Sequence, residues 1–140
     1  MRVIKLSKVE FESPANFYNY ITSEVEERSP KGKFRIPKGY IAKDQFSNDE
    51  TVIFVQDSIV IGFGQASSNV LENDDEFSSK GYPNCFIFNT STFRETNFPL
   101  AKIEDALHKA GLQKNITRTQ GWPRIPQEYE CIVLEKLIGH

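Results

Sequence analysis

The sequence predicts an α+β domain in which a small curved β-barrel is flanked by about three helices. The barrel comes from Thr51–Ala66, TVIFVQDSIVIGFGQA, where two β-rich runs, Thr51–Val55 and Ser58–Ala66, flank the polar pair Gln56-Asp57 and read as a β-hairpin with a very short loop. In its second strand Ile59, Ile61 and Phe63 share one face and Val60, Gly62 and Gly64 the other. Bulky side chains then point inward and small ones stand where the sheet must curve. The helices come from three stretches with apolar residues at helical spacing, one before the hairpin and two after it.

In chain order, Arg2–Leu6 is a short strand with Val3 and Ile4 on opposite faces. Ser13 is an N-cap with Pro14 at the first helical position, and Phe17, Ile21 and Val25, widened by Tyr18, carry an apolar stripe to about Arg28. Glu24, Glu26 and Glu27 stand near its C-terminal end and oppose the helix dipole, so this helix depends on packing. Ser29-Pro30 ends it. Lys31–Lys43, KGKFRIPKGYIAK, carries five basic residues and no acid, and its Gly and Pro break it into loop and short extended pieces anchored by Phe34, Ile36, Tyr40 and Ile41. It reads either as a solvated connection pinned to the core or as a basic lip beside a groove, with Lys and Arg for phosphates and an aromatic ring for stacking.

Ser67–Pro83 is a polar, acidic surface loop containing Glu72, Asp74, Asp75 and Glu76, without the spacing of a calcium loop. Asn84–Asn89 returns to strand character through Cys85, Phe86, Ile87 and Phe88. Phe98–Gly111 is the clearest helix: Pro99 starts it, Ile103, Ala106, Leu107 and Ala110 share a face, and Gly111 fits a left-handed cap. Gln113–Gln120, with Lys114, Asn115 and Arg118, is a basic, polar connection. Pro126 opens a last helix whose Tyr129, Ile132, Val133 and Leu137 face the core and which Gly139 closes.

At 140 residues the chain fits one domain, 1–140, able to bury about two-thirds of its unfolded surface. A formal charge of −2 gives no global pull towards nucleic acid, so a polyanion site must be a local patch. Cys85 and Cys131, each inside an apolar run, read as buried free thiols. With no apolar run near ~18 residues and no signal-like N-terminus, a cytoplasmic location without membrane contact is the expectation.

Catalytic parts are scarce. His108 lies on the polar side of a helix and His140 at the last position, neither with a metal-ligand partner at a recognised spacing. GFGQAS sits within the hairpin without a phosphate-binding helix behind it. The expectation is a protein that is not an enzyme, with no catalytic residue, metal or cofactor. Binding parts are better supplied. Trp122, the single tryptophan, lies in RTQGWPRIP between Arg118 and Arg124, and reads either as a base-stacking platform or as a plug in the barrel end. Asn89, Thr90 and Ser91 offer hydrogen bonds to a base edge or to a turn.

The order strand, helix, basic connection, charged turn plus hairpin (NDETVIFVQDSIVIGFGQA), aromatic strand (NCFIFN) and helix beginning FPL resembles the PUA-like superfamily, particularly its EVE branch, related to YTH domains. Asn48-Asp49 stands where those families often have a Gly-Asp turn, and Ile61-Gly62-Phe63-Gly64 where they have a Val-Gly-x-Gly pattern. The aromatic expected soon after the first strand has Phe11 as its nearby substitute. The resemblance implies a curved barrel that binds nucleic acid, DNA or RNA, often through a modified base in an aromatic pocket. It also implies an associated nuclease domain or subunit, because EVE-like domains serve modification-dependent restriction systems. The expected nucleic-acid-binding residues are Lys31, Lys33, Arg35, Lys38, Tyr40, Phe88, Asn89, Arg118, Trp122 and Arg124, with the basic ones converging beside one concave aromatic pocket. A protein-interaction or accessory module using the same aromatic surface is the main rival, and a hydrolase with a site of dispersed residues the third reading.

Overall fold

The computed structural model describes residues 1–40, 47, 49–113 and 115–139; Ile41, Lys43, Asn48, Lys114 and His140 lie outside the described residues. Strand β1, Arg2–Lys5, is followed by helix α1, Pro14–Asn19. Its N-terminus is a capping box in which the Ser13 hydroxyl accepts from Asn16 N and the Asn16 side chain accepts from Ser13 N at 3.0 Å. The helix then loosens into a π-helical turn over Tyr20–Val25, where the expectation was one α-helix to Arg28. Within this stretch the Thr22 hydroxyl donates to Tyr18 O at 2.9 Å, competing for a carbonyl of the ladder. Phe17, Ile21 and Val25 nevertheless remain one fully buried stripe.

Next come β2, Lys33–Ile36, β3, Thr51–Gln56, and β4, Ile59–Ala66. The hairpin loop is Asp57-Ser58, one residue later than expected, and both residues have positive φ, 53° and 62°, as a type I′ turn requires. A two-residue β5, Leu71–Glu72, precedes β6, Asn84–Pro99, which runs ten residues beyond the predicted end at Asn89. Helix α2, Leu100–Lys109, follows with Pro99 as its N-cap, and α3, Glu130–Ile138, closes at Gly139 after a 3-10 turn over Gln127–Tyr129.

The strands form one curled sheet in the order β1-β3-β4-β6-β2, with β5 also on β6; β1 and β3 run parallel and the other pairs antiparallel. The curl is set where β4 meets β6. There Gln65 pairs with Asn89 and Phe63 with Arg94, so residues 90–93 bulge out opposite Gly64. Rings from β6 lie against the glycines: a β-carbon on Gly62 would stand 2.6 Å from the Phe93 ring, and one on Gly64 2.6 Å from the Phe88 ring. The same irregularities break the expected alternation of β4, because Ile61 faces the inner core while Val60 and Phe63 face the outer one.

The inner core, inside the curl, joins the α1 stripe to Phe34, Phe54, Phe86, Phe88 and Trp122; the outer core packs Val3, Ile53, Val55 and Val60 against Ile103 and Leu107 of α2 and Val133 and Leu137 of α3. Cys85 is buried as expected, whereas Cys131 is exposed. Its run ECIVL is one turn of an amphipathic helix that turns Val133 inward and Cys131 outward.

Among the described residues the sheet does not close, because β1 and β2 stand at the two ends of its strand order. Residues 122–125 span the seam between them. They pair with β1 through Pro123 O, which accepts from Val3 N at 2.9 Å, and Ile125 N, which donates to Met1 O at 2.8 Å. On the other side Trp122 N donates to Tyr40 O, beyond the end of β2, at 3.0 Å.

Candidate nucleic-acid interface

A cleft of about 230 Å³ opens at this seam. Its walls are Lys5 and Leu6 after β1, Glu10 and Phe11 before α1, Tyr20, Glu24 and Arg28 from the first helical segment, Phe34, Arg35 and Pro37 around β2, Phe77 and Tyr82 from the acidic loop, and Trp122. The rings pack on one another at angles. Phe11 meets Tyr20 with centroids 4.9 Å apart, Phe34 meets Trp122 at 6.1 Å, and Phe77 meets Tyr82 at 6.3 Å. Trp122 is 4% exposed, and its indole Nε1 donates to Lys5 O at 3.3 Å, so the ring is both a core residue and part of the cleft wall.

The polar groups are held in place. Arg28 Nη1 donates to the Tyr20 hydroxyl and to Lys33 O, both at 2.9 Å, and its Nη2 lies 3.7 Å from Glu24. Burial raises the Tyr20 phenol, against the opposing pull of Arg28, so it stays neutral near pH 7. Lys5 Nζ donates to Thr119 O, and burial lowers its ammonium from the usual value. Glu10 keeps an exposed outer surface, yet burial pushes its carboxyl up.

The acidic loop is pinned to β2. Asp75 Oδ2 accepts from Arg35 Nε at 2.8 Å and from Lys33 Nζ at 3.3 Å, its other oxygen accepts from Phe77 N at 2.9 Å, and Asp74 takes a second bond from Lys33 at 3.2 Å. The Arg35 guanidinium lies 4.0 Å over the Phe77 ring. Burial works against the charge of Asp75, but the bonds from Arg35, Phe77 N and Lys33 outweigh it and hold the carboxyl at about 2, below its usual 3.8. A carboxyl depressed on folding stabilises the native state fully above its unfolded value and loses that contribution as pH falls through the folded value. Asp75→Asn is therefore expected to cost on the order of 1–2 kcal/mol at pH 7. The difference from the parent should vanish between about pH 4 and pH 2. Urea melts of both proteins across that range check this, and a pH-independent difference would show that the carboxylate charge is not what pins the loop.

No family model matches the chain, and no curated protein matches it in sequence. Among solved structures, the chain is similar to the YTH domain of the Zygosaccharomyces rouxii MRB1 protein in complex with N6-methyladenosine RNA, with a TM-score of 0.53 and 20% identity over 95% of this chain and 82% of that one. It also matches an ASCH protein of Zymomonas mobilis, with a TM-score of 0.49 and 12% identity over 97% and 94% of the two chains. The fold is PUA-like. The curled mixed sheet with its helices matches the YTH architecture, as the resemblance of the hairpin and the aromatic strand implied.

The ten residues expected from sequence fall into separate groups. Arg35 and Trp122 line the seam cleft, Tyr40 stands edge-on to Trp122 with centroids 5.9 Å apart, and Lys38 is exposed in the turn between Pro37 and Tyr40. Lys33 is 4% exposed and committed to Asp74 and Asp75. Lys31, paired with Glu26 at 2.7 Å, lies with Phe88 and Asn89 around a different hollow, and Phe88 is 1% exposed, its ring packed on Phe54 in the core. Arg118 is exposed on its loop, and Arg124 Nε lies 3.6 Å from Glu50. The basic residues thus do not converge as one patch, because acids elsewhere in the chain neutralise most of them. Sequence reasoning did not name Tyr20, Arg28, Phe77 or Tyr82 for the site. Tyr20, Glu24 and Arg28 do repeat at spacing four, a polar-aromatic stripe beside Phe17, Ile21 and Val25, and that was a usable signal.

Proposed function

We propose that this domain is a non-enzymatic nucleic-acid reader, of EVE or YTH type, that takes one base from a single strand into the seam cleft and favours a modified base. The observation that carries this reading is the convergence of Phe11, Tyr20, Phe34 and Trp122 on one cleft. At about 230 Å³ it is smaller than the ~300–1,000 Å³ usual for drug-sized ligands, and so suits one flat ring system. Aromatic walls hold a base by stacking, whatever its sequence context. The methylated RNA bound by the YTH neighbour supports the same ligand class. A nuclease, if one acts on the recognised site, belongs in this proposal to an associated domain or subunit.

The test is a screen of matched modified and unmodified oligonucleotides, N6-methyladenosine included, in single- and double-stranded form at several salt concentrations, read by quenching of Trp122, the one tryptophan. Single strands should bind better than duplexes. With about two phosphate contacts, affinity should fall with a log-log salt slope of roughly −1 to −2, while the modified-to-unmodified ratio holds constant. Equal binding of an oligonucleotide abasic at the recognised position would overturn base recognition.

A further inference from the structure

We infer that Tyr40 forms a second base-stacking position beside the cleft, and that a bound single strand runs from the cleft over Lys38 and Tyr40 rather than across α1. The inference rests on the reader function proposed above and adds the path of the strand to it. Tyr40 is 44% exposed, and its ring stands edge-on to Trp122 at 82°, so a base seated against Trp122 has an accessible aromatic ring next to it.

The Tyr40 backbone is prepared for that role. Tyr40 N donates to Pro37 O at 3.2 Å, Lys38 N donates to Gly81 O at 2.8 Å, and Tyr40 O accepts from Trp122 N at 3.0 Å. The first bond closes the turn and the other two hold it to the acidic loop and to the seam segment, so little backbone freedom remains to be lost on binding. Lys38, exposed in that turn, has no acidic partner among the described residues and is placed to meet the phosphodiester between two stacked bases.

The other exit from the cleft has the opposite character. Glu10, Phe11, Tyr20 and Glu24 also line the adjoining hollow over α1, where the remaining walls are the uncharged Asn16, Asn19 and Ser23. A phosphodiester leaving on that side would pass two carboxylates, and no cation lines that hollow among the described residues; Arg28, in the cleft wall, already lies 3.7 Å from Glu24.

The experiment compares adenosine, N6-methyladenosine, guanosine, cytidine and uridine with the dinucleotides ApA, ApA methylated at N6 of its first base, GpG, CpC and UpU, against the parent, Tyr40→Ala, Lys38→Glu and Asn19→Lys, by calorimetry with thermal melts as a fold check. The parent should bind the best dinucleotide roughly 5-fold or more tighter than its nucleoside. Tyr40→Ala should abolish that gain while leaving nucleoside affinity in place, Lys38→Glu should reduce the gain, and Asn19→Lys should leave it unchanged. A parent that binds none of these nucleosides or dinucleotides removes the base-reading function and this inference with it. Nucleoside binding with a dinucleotide gain that survives Tyr40→Ala, or that Asn19→Lys increases, overturns the strand path alone.

Discussion

Trp122→Ala should lower the melting temperature by roughly 10–15 °C as well as weaken base binding. The indole is 4% exposed, lies edge-on to Phe34 and Tyr40, and belongs to the inner core together with Phe54 and Phe86. Truncating a buried aromatic to alanine costs about 3–5 kcal/mol through lost contacts and the cavity left behind. For a chain of this size each kcal/mol moves the midpoint by about 3 °C. The sequence left plug and platform as alternatives; the structure puts the ring in the core and in the cleft wall at once, and the reader function proposed above would use it in both ways. Loss of binding in the alanine variant therefore cannot be separated from loss of structure, and Trp122→Phe is the informative partner. It keeps an aromatic face while removing the bond from Nε1 to Lys5 O, so it should melt above the alanine variant and retain part of the affinity. Melting followed by circular dichroism decides this, because the fluorescence reporter is lost in both variants. An alanine variant as stable as the parent would place the ring outside the core.

Features that depend on neighbours in sequence were legible. The Ser13 cap, the short hairpin loop and the glycine that closes α3 each need only a few adjacent residues, and each stands where expected or within one residue of it. The second half of β6 was hidden because its sequence, TSTFRETN, is polar, and the bulge over residues 90–93 interrupts any alternation; it is a strand because β4 supplies its partner. The cleft was hidden for a topological reason. Its walls come from six separate segments, and it exists because β1 and β2, distant in the sheet order, are left unpaired across the seam. The basic stretch around Lys33 shows the same limit in electrostatic form. Its charges are plain in sequence, but the acids that neutralise Lys33 and Arg35 lie 40 to 42 residues further on, and only the fold brings Asp74 and Asp75 onto them.

Gly32→Ala should be the most damaging single-methyl change in the region that positions the cleft. Gly32 joins the first helical segment to β2: its N–H donates to Val25 O at 2.9 Å and its carbonyl accepts from Phe88 N at 2.8 Å, which sets Phe34 and Arg35 against the seam. Its φ is +90°, a conformation that costs an L side chain roughly 1–2 kcal/mol. A β-carbon there would also stand 2.2 Å from Phe88 O. That oxygen belongs to the backbone and cannot swing aside as a side chain could, so relief requires β6 to move, and Phe86 and Phe88 with it out of the inner core. Strain and overlap together should cost more than about 3 kcal/mol. Gly39→Ala separates the two contributions, because Gly39 has a similar φ of +84° but no atom of the described residues within 4 Å of the added carbon. That variant should lose about 1–2 kcal/mol, the conformational part alone. Paired urea and thermal melts of the two variants make the comparison. If Gly32→Ala proves no less stable than Gly39→Ala, the contact of Gly32 with β6 is not what sets the position of β2, and the wall formed by Phe34 and Arg35 must be held by the pinned acidic loop instead.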